Sequence, residues 1–163
     1  MPDTSIQEAH PKSINACLAA YFTEENNNIV DELMQRLRKA DKIETGTLTN
    51  SELKNHVPRI IDNLARELLH YGCADAAMQT HIDAAEHGAT RWRQGFDLSG
   101  LLRESSLLRA VLIDYICHFE EENPTFGYAE KFFASATTHR ILDDVMIEAA
   151  QQFRITQVIE GKR

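Results

Sequence analysis

Apolar residues recur along this chain at helical intervals. From about Ser13 to Ala40, Ile14, Leu18, Tyr21 or Phe22, Ile29, Leu33 and Leu37 return at steps that place them on one face of a helix. The polar run Glu24 to Asn28 interrupts that face and can divide the helix in two. After a loop, Lys42 to Leu48, Thr49 and Glu52 have the spacing of a capping box, in which each side chain satisfies an orphan donor of a first turn, so a second helix opens near Asn50. Pro58 has no amide hydrogen and either kinks that helix or begins a new one. Ile61, Leu64 and Leu68 continue its stripe to the terminator Gly72. A third helix, about Ala74 to Gln94, shows Met78, Ile82, Ala85, Ala89 and Trp92 in alternating steps of four and three, with Gly95 at the position of a left-handed cap.

Asp97 caps a fourth helix, about Leu98 to Glu122, carrying Leu101, Leu107, Leu108, Val111, Leu112, Tyr115 and Phe119, and Asn123-Pro124 ends it. The last helix starts near Tyr128 and carries Phe132, Phe133, Ala136, Ile141, Leu142, Val145, Met146, Ala149 and Phe153. Its stripe runs on into Ile155, Val158 and Ile159, and no Gly or Pro stops it before Gly161. The pattern predicts an all-α chain: one bundle of about five helices, the last one long, with a globin-like arrangement as an alternative. The expected divisions are a flexible N-terminus over 1–12, a helical domain over 13–154, and the start of a coiled-coil connector over 155–163.

Composition narrows the function. A chain of 163 residues with 43% apolar and 26% charged residues has the proportions of one globular domain. Its net charge of −8 opposes a phosphate backbone, so nucleic acid is not an expected partner. Cys17, Cys73 and Cys117 are odd in number and far apart, as expected in a reducing cytoplasm rather than in a disulfide framework. The start lacks a basic segment followed by an apolar run, and no stretch approaches the roughly 20 apolar residues that span a bilayer. A cytoplasmic protein without a membrane anchor is the expectation.

Candidate chemistry is sparse. No two of the seven histidines stand three or four residues apart, so no helix offers a local pair of metal ligands, and no metal is expected. One axial histidine is enough for haem, with His81, His87 and His118 as candidates and a stand-alone globin-like haem or small-ligand protein as the alternative function. Glu86-His87 with Asp83 offers an acid-base pair, but no nucleophile, Gly-rich phosphate loop or nucleophile elbow accompanies it, and an enzyme is not expected. Arg91, Arg93, Arg103 and Arg109 bracket the turn Gly95-Phe96-Asp97, where they either meet a partner or pair with carboxylates such as Glu86, Asp97 or Glu104. Cys73, beside Gly72 at a helix junction, is the one candidate redox thiol.

The segment His81 to Leu98, continuing through Leu101-Leu102-Arg103-Glu104 to Leu108-Arg109, resembles the RsbRD-type N-terminal domain found in RsbT co-antagonist proteins and sensor histidine kinases. The shared pattern is a helix ending His87-Gly88-x-x-Arg91-x-x-x-Gly95, then an aspartate-capped helix with Leu101-x-x-Glu104-x-x-x-Leu108-Arg109. Leu48 to Pro58, with Ile61 and Leu64, is similar to the second helix of that family. Ser105-Ser106 departs from it, standing where bulkier residues are expected. The resemblance implies a non-enzymatic input domain without haem that dimerises and signals through its last helix to a downstream or partner kinase or STAS-type domain. His87, Arg91, Trp92, Arg93, Asp97, Arg103 and Arg109 are then the candidate signalling and partner contacts.

Overall fold

In the computed structural model, residues 14–40, 48–54, 56–70 and 74–161 are described. The 1–12 segment, most of the Lys42 to Leu48 loop, Gly72 and Cys73 lie outside them. The described residues form seven helical segments: α1 (Ile14–Glu24), α2 (Asn26–Ala40), α3 (Asn50–Lys54), α4 (Val57–Leu69), α5 (Ala74–Arg93), α6 (Leu98–Glu122) and α7 (Tyr128–Glu160). The protein is all-α, and none of these helices is long and apolar enough to cross a membrane.

The two additional segments arise at the two breaks that the sequence marks. At Glu25 the first helix bends, and the Asn26 side chain reaches across to the Pro58 carbonyl at 3.0 Å and to Asp62 at 2.8 Å, tying the bend to α4. Pro58 sits in the first turn of α4, where its missing donor costs nothing, so it begins a new helix. The capping box forms as expected, with the Thr49 amide on the Glu52 carboxylate at 2.8 Å and the Glu52 amide on the Thr49 hydroxyl at 3.3 Å.

Helix α4 runs through the middle of the bundle between α1, α2, α5 and α7. Ile60, Ile61, Leu64 and Leu68 on α4 meet Leu18 and Phe22 of α1, Ile29 and Leu33 of α2, and Leu108 and Leu112 of α6 in one apolar core. The longest helix, α7, lies against both α5 and α6. It buries Ala134, Thr138, Ile141, Val145, Ala149 and Phe153, a stripe of three- and four-residue steps. Phe132 and Ala136, expected on that stripe, face outward, Phe132 being 65% exposed.

The largest departure from expectation is on α5. Its apolar stripe starts in solvent, Met78 at 63% and Ile82 at 45% exposure, and is covered only towards Ala89 and Trp92. The face buried along the rest of the helix is Thr80, Asp83, Ala84, His87, Gly88 and Arg91, nearly opposite at 3.6 residues per turn. Two contacts hold that polar face inward. Gly88 sits directly on the α7 backbone, where an added β-carbon would lie 2.0 Å from the Ala149 carbonyl oxygen, so glycine sets how closely α5 and α7 approach. The other is Glu104, which meets both His87 and Arg91 inside the protein.

Candidate functional site

Arg91 is the largest fully buried side chain, at 0% exposure. An unmatched guanidinium inside a protein is prohibitively costly, so its five donors require five acceptors. All five are present. The Nε bonds Glu104 Oε2 at 2.8 Å and one Nη2 hydrogen bonds Glu104 Oε1 at 2.5 Å, a two-pronged ion pair. The remaining donors bond the Leu53 carbonyl at 2.5 Å, the Glu52 carbonyl at 3.2 Å and Gln94 Oε1 at 2.5 Å. Glu52 and Leu53 lie at the end of α3, where carbonyls lack partners within the helix, so Arg91 caps that helix from a distance. The Gln94 amide adds a 2.8 Å bond to the Glu52 carbonyl.

Glu104, 2% exposed, also meets His87 Nε2 at 3.1 Å. A carboxylate only accepts, so this imidazole nitrogen carries the hydrogen. Burial alone would raise the Glu104 pKa; the His87 and Arg91 charges and hydrogen bonds outweigh it and hold it down at about 2. The turn between α5 and α6 is shaped to match. Gly95 takes φ +86°, the Gly95 amide bonds the Trp92 carbonyl at 3.0 Å and the Phe96 amide bonds the Arg91 carbonyl at 3.1 Å, which together make a Schellman cap. Phe96 then folds beneath the Arg91 guanidinium, 4.8 Å from its ring centre, and Asp97 Oδ1 accepts the Gly100 amide at 2.6 Å to start α6.

Six of the seven candidate contacts therefore fall into two groups. His87, Arg91 and Asp97 are engaged within the domain, with Glu104 as the acceptor common to the first two. Arg93, Arg109 and Trp92 turn to α7: Arg93 forks onto Glu160 at 2.9 and 3.1 Å, Arg109 pairs with Asp143, and the Trp92 ring meets Phe153 edge-on at 5.5 Å. Arg103 is exposed on α6. Sequence reasoning missed one further clamp, Arg140 of α7 on Glu67 of α4 at 2.9 Å, because the partners stand 73 residues apart.

Of the haem candidates, His81 lies on the surface 3.4 Å from Glu148, and His118 lies on the surface 3.2 Å from Glu121. His87 borders a cavity of about 20 Å³, room for about one water molecule. Leu108, Val145, Met146 and Ser105 help line it, so the small residue that departs from the expected pattern leaves this space, whereas Ser106 is exposed. Haem ligation at His87 would require the core to open. Cys17 and Cys117 are half-buried free thiols, and Cys73 is outside the described residues.

The fold and site define a class: a helical domain whose characteristic charged residues hold its own helices together and fix its last helix in place. Residues 27–157 match the family described as the RsbT co-antagonist protein rsbRD N-terminal domain, and the chain belongs to that family. No curated protein and no solved structure gives a significant match.

Proposed function

We propose that this chain is a non-catalytic input domain of a bacterial stress-signalling protein. It dimerises and passes a signal through α7 to an output module, a histidine kinase or a STAS-type domain, on the same or a partner chain. The observation that carries this reading is how α7 is built into the domain. One unbroken helix of 33 residues is clamped at Glu67–Arg140, Arg109–Asp143 and Arg93–Glu160, so displacement of α4, α5 or α6 bears on it along most of its length. Relay of this kind needs no catalytic group and no haem. It needs a helix with two available packings that a signal can bias.

The side of α7 turned from the core presents Phe132, Ile147 and Val158, each more than half exposed, with Ile155 and Ile159 beside them at the far end. A second copy of the chain is the occupant that this reading assigns to that side. Sedimentation equilibrium tests it: the wild-type chain is expected to be a dimer, and the double variant Ile147→Glu, Val158→Glu a folded monomer, since both positions are surface positions in the single chain. A wild type that stays monomeric up to its solubility limit would overturn the dimer, and a variant that remains dimeric would remove α7 from the interface.

A further inference from the structure

Three side chains that the relay leaves unused converge where α3 and α4 meet α5. His56 precedes α4, and Asp83 and Glu86 are one turn apart on α5. One ligating atom from each lies within 4.8 Å of the other two. His56 Nδ1 is 3.5 Å from Glu86 Oε2. The same nitrogen is buried without a hydrogen-bond partner among the described residues, an uncommon condition for a polar atom in a folded interior.

The Asp83 carboxylate, 1% exposed, is oriented by its surroundings. Asn63, fully buried, donates to its Oδ2 at 2.9 Å, and Arg66 donates to the Asn63 side-chain Oδ1 at 2.6 Å, which fixes the amide. Such an outer layer is what holds a metal-ligating carboxylate in place. Oδ1 remains for a cation, and one is there: Arg59 Nη1 lies 3.1 Å from Asp83 Oδ1 and 3.4 Å from Glu86 Oε2. Arg59 is 56% exposed, so it can withdraw into solvent, and a solvent-open groove bordered by His56, Glu86, Ala89 and Thr90 gives a hydrated ion access.

We propose that His56, Asp83 and Glu86 form a binding site for one divalent first-row transition metal ion, and that the Arg59 guanidinium stands in for that ion until it is displaced. One imidazole and two carboxylates suit zinc, manganese or iron better than magnesium or calcium, which prefer all-oxygen sites. A metal held at about 2.1 Å from each ligand needs them within about 4 Å of one another, a closure within reach of the exposed Glu86 side chain. Two carboxylates and a neutral imidazole balance the ion's two charges. Occupancy would join the start of α4 to α5, beside the α3 carbonyls that Arg91 holds.

The site is tested on the whole chain, stripped with chelator and titrated with Co²⁺ and Zn²⁺ by calorimetry and by the Co²⁺ absorption spectrum. One equivalent is expected to bind. His56→Ala and Asp83→Asn are each expected to weaken it at least about 10-fold, and Arg59→Ala to tighten it about 10-fold by removing a competing charge. His81→Ala and His118→Ala should leave it unchanged. Arg59 is on the surface, so its variant keeps the test informative even if the buried substitutions fail to fold. No saturable binding, binding lost with the surface histidines, or weaker binding in Arg59→Ala would each overturn the site. Sedimentation reads the dimer and titration reads the metal, so either proposal can fail alone.

Discussion

Glu104 shows how one residue can make a buried charge tolerable. Its folded pKa of about 2 lies below the ordinary 4.5, so the unfolded chain binds a proton first as pH falls. The stabilisation is therefore complete above about pH 4.5 and is lost as pH falls towards about 2. Other carboxylates titrate in the same range, so the informative quantity is a difference. Denaturant unfolding of wild type and Glu104→Gln, which keeps the shape and one acceptor, should show a stability gap that narrows by about 2 kcal/mol between pH 6 and pH 3. A gap that stays constant across those pH values would mean that the ionised form is not what Arg91 and His87 stabilise. The types of these residues were legible in the sequence, and Glu104 was among the carboxylates expected to pair with the bracketing arginines. What was not legible was the direction in which they point: His87 and Arg91 stood among candidate partner contacts and prove to be interior, because nothing in local spacing reveals that the Glu52 and Leu53 carbonyls are waiting 39 and 38 residues away.

At the scale of elements, periodicity located the helices well, and the Thr49, Pro58, Gly95 and Asp97 signals each mark a boundary or cap that forms. It chose the wrong face of α5. A search for apolar steps finds Met78, Ile82, Ala85, Ala89 and Trp92, whereas this helix buries a glycine contact and matched charges over much of the opposite face. The His56, Asp83 and Glu86 convergence escaped for a related reason: metal-ligand spacing was sought within one helix, and the fold brings the histidine from another. Gly88 gives the element-scale test a sign. On an exposed helix, Gly→Ala stabilises by about 1 kcal/mol. Here the new β-carbon meets unyielding α7 backbone, and forcing helices apart costs about 3 kcal/mol. The net loss of about 2 kcal/mol should lower the Tm of Gly88→Ala by about 4–8 °C in a chain of this size. A raised Tm would show that α5 and α7 do not approach this closely.

At the scale of the whole molecule, the question is whether α7 moves as one body with the domain to its very end. The far end is held by two kinds of contact. Phe153 and Thr156 are buried, with Trp92 against Phe153, whereas Arg93 and Glu160 meet at the surface, where an ion pair adds little to global stability. The two kinds of contact thus have separable effects. Arg93→Ala should leave Tm nearly unchanged while raising amide hydrogen exchange several-fold from Val158 to Gly161 and leaving Ile141 to Phe153 protected, because only the last turn loses its tether and fraying is local. If exchange rises along the whole of α7, the surface pair governs the docking of the entire helix. If it does not change anywhere, the interior contacts alone fix the end. The relay reading requires one of the first two outcomes, since an output module joined to α7 can respond only if contacts near its end tune how firmly the helix is held.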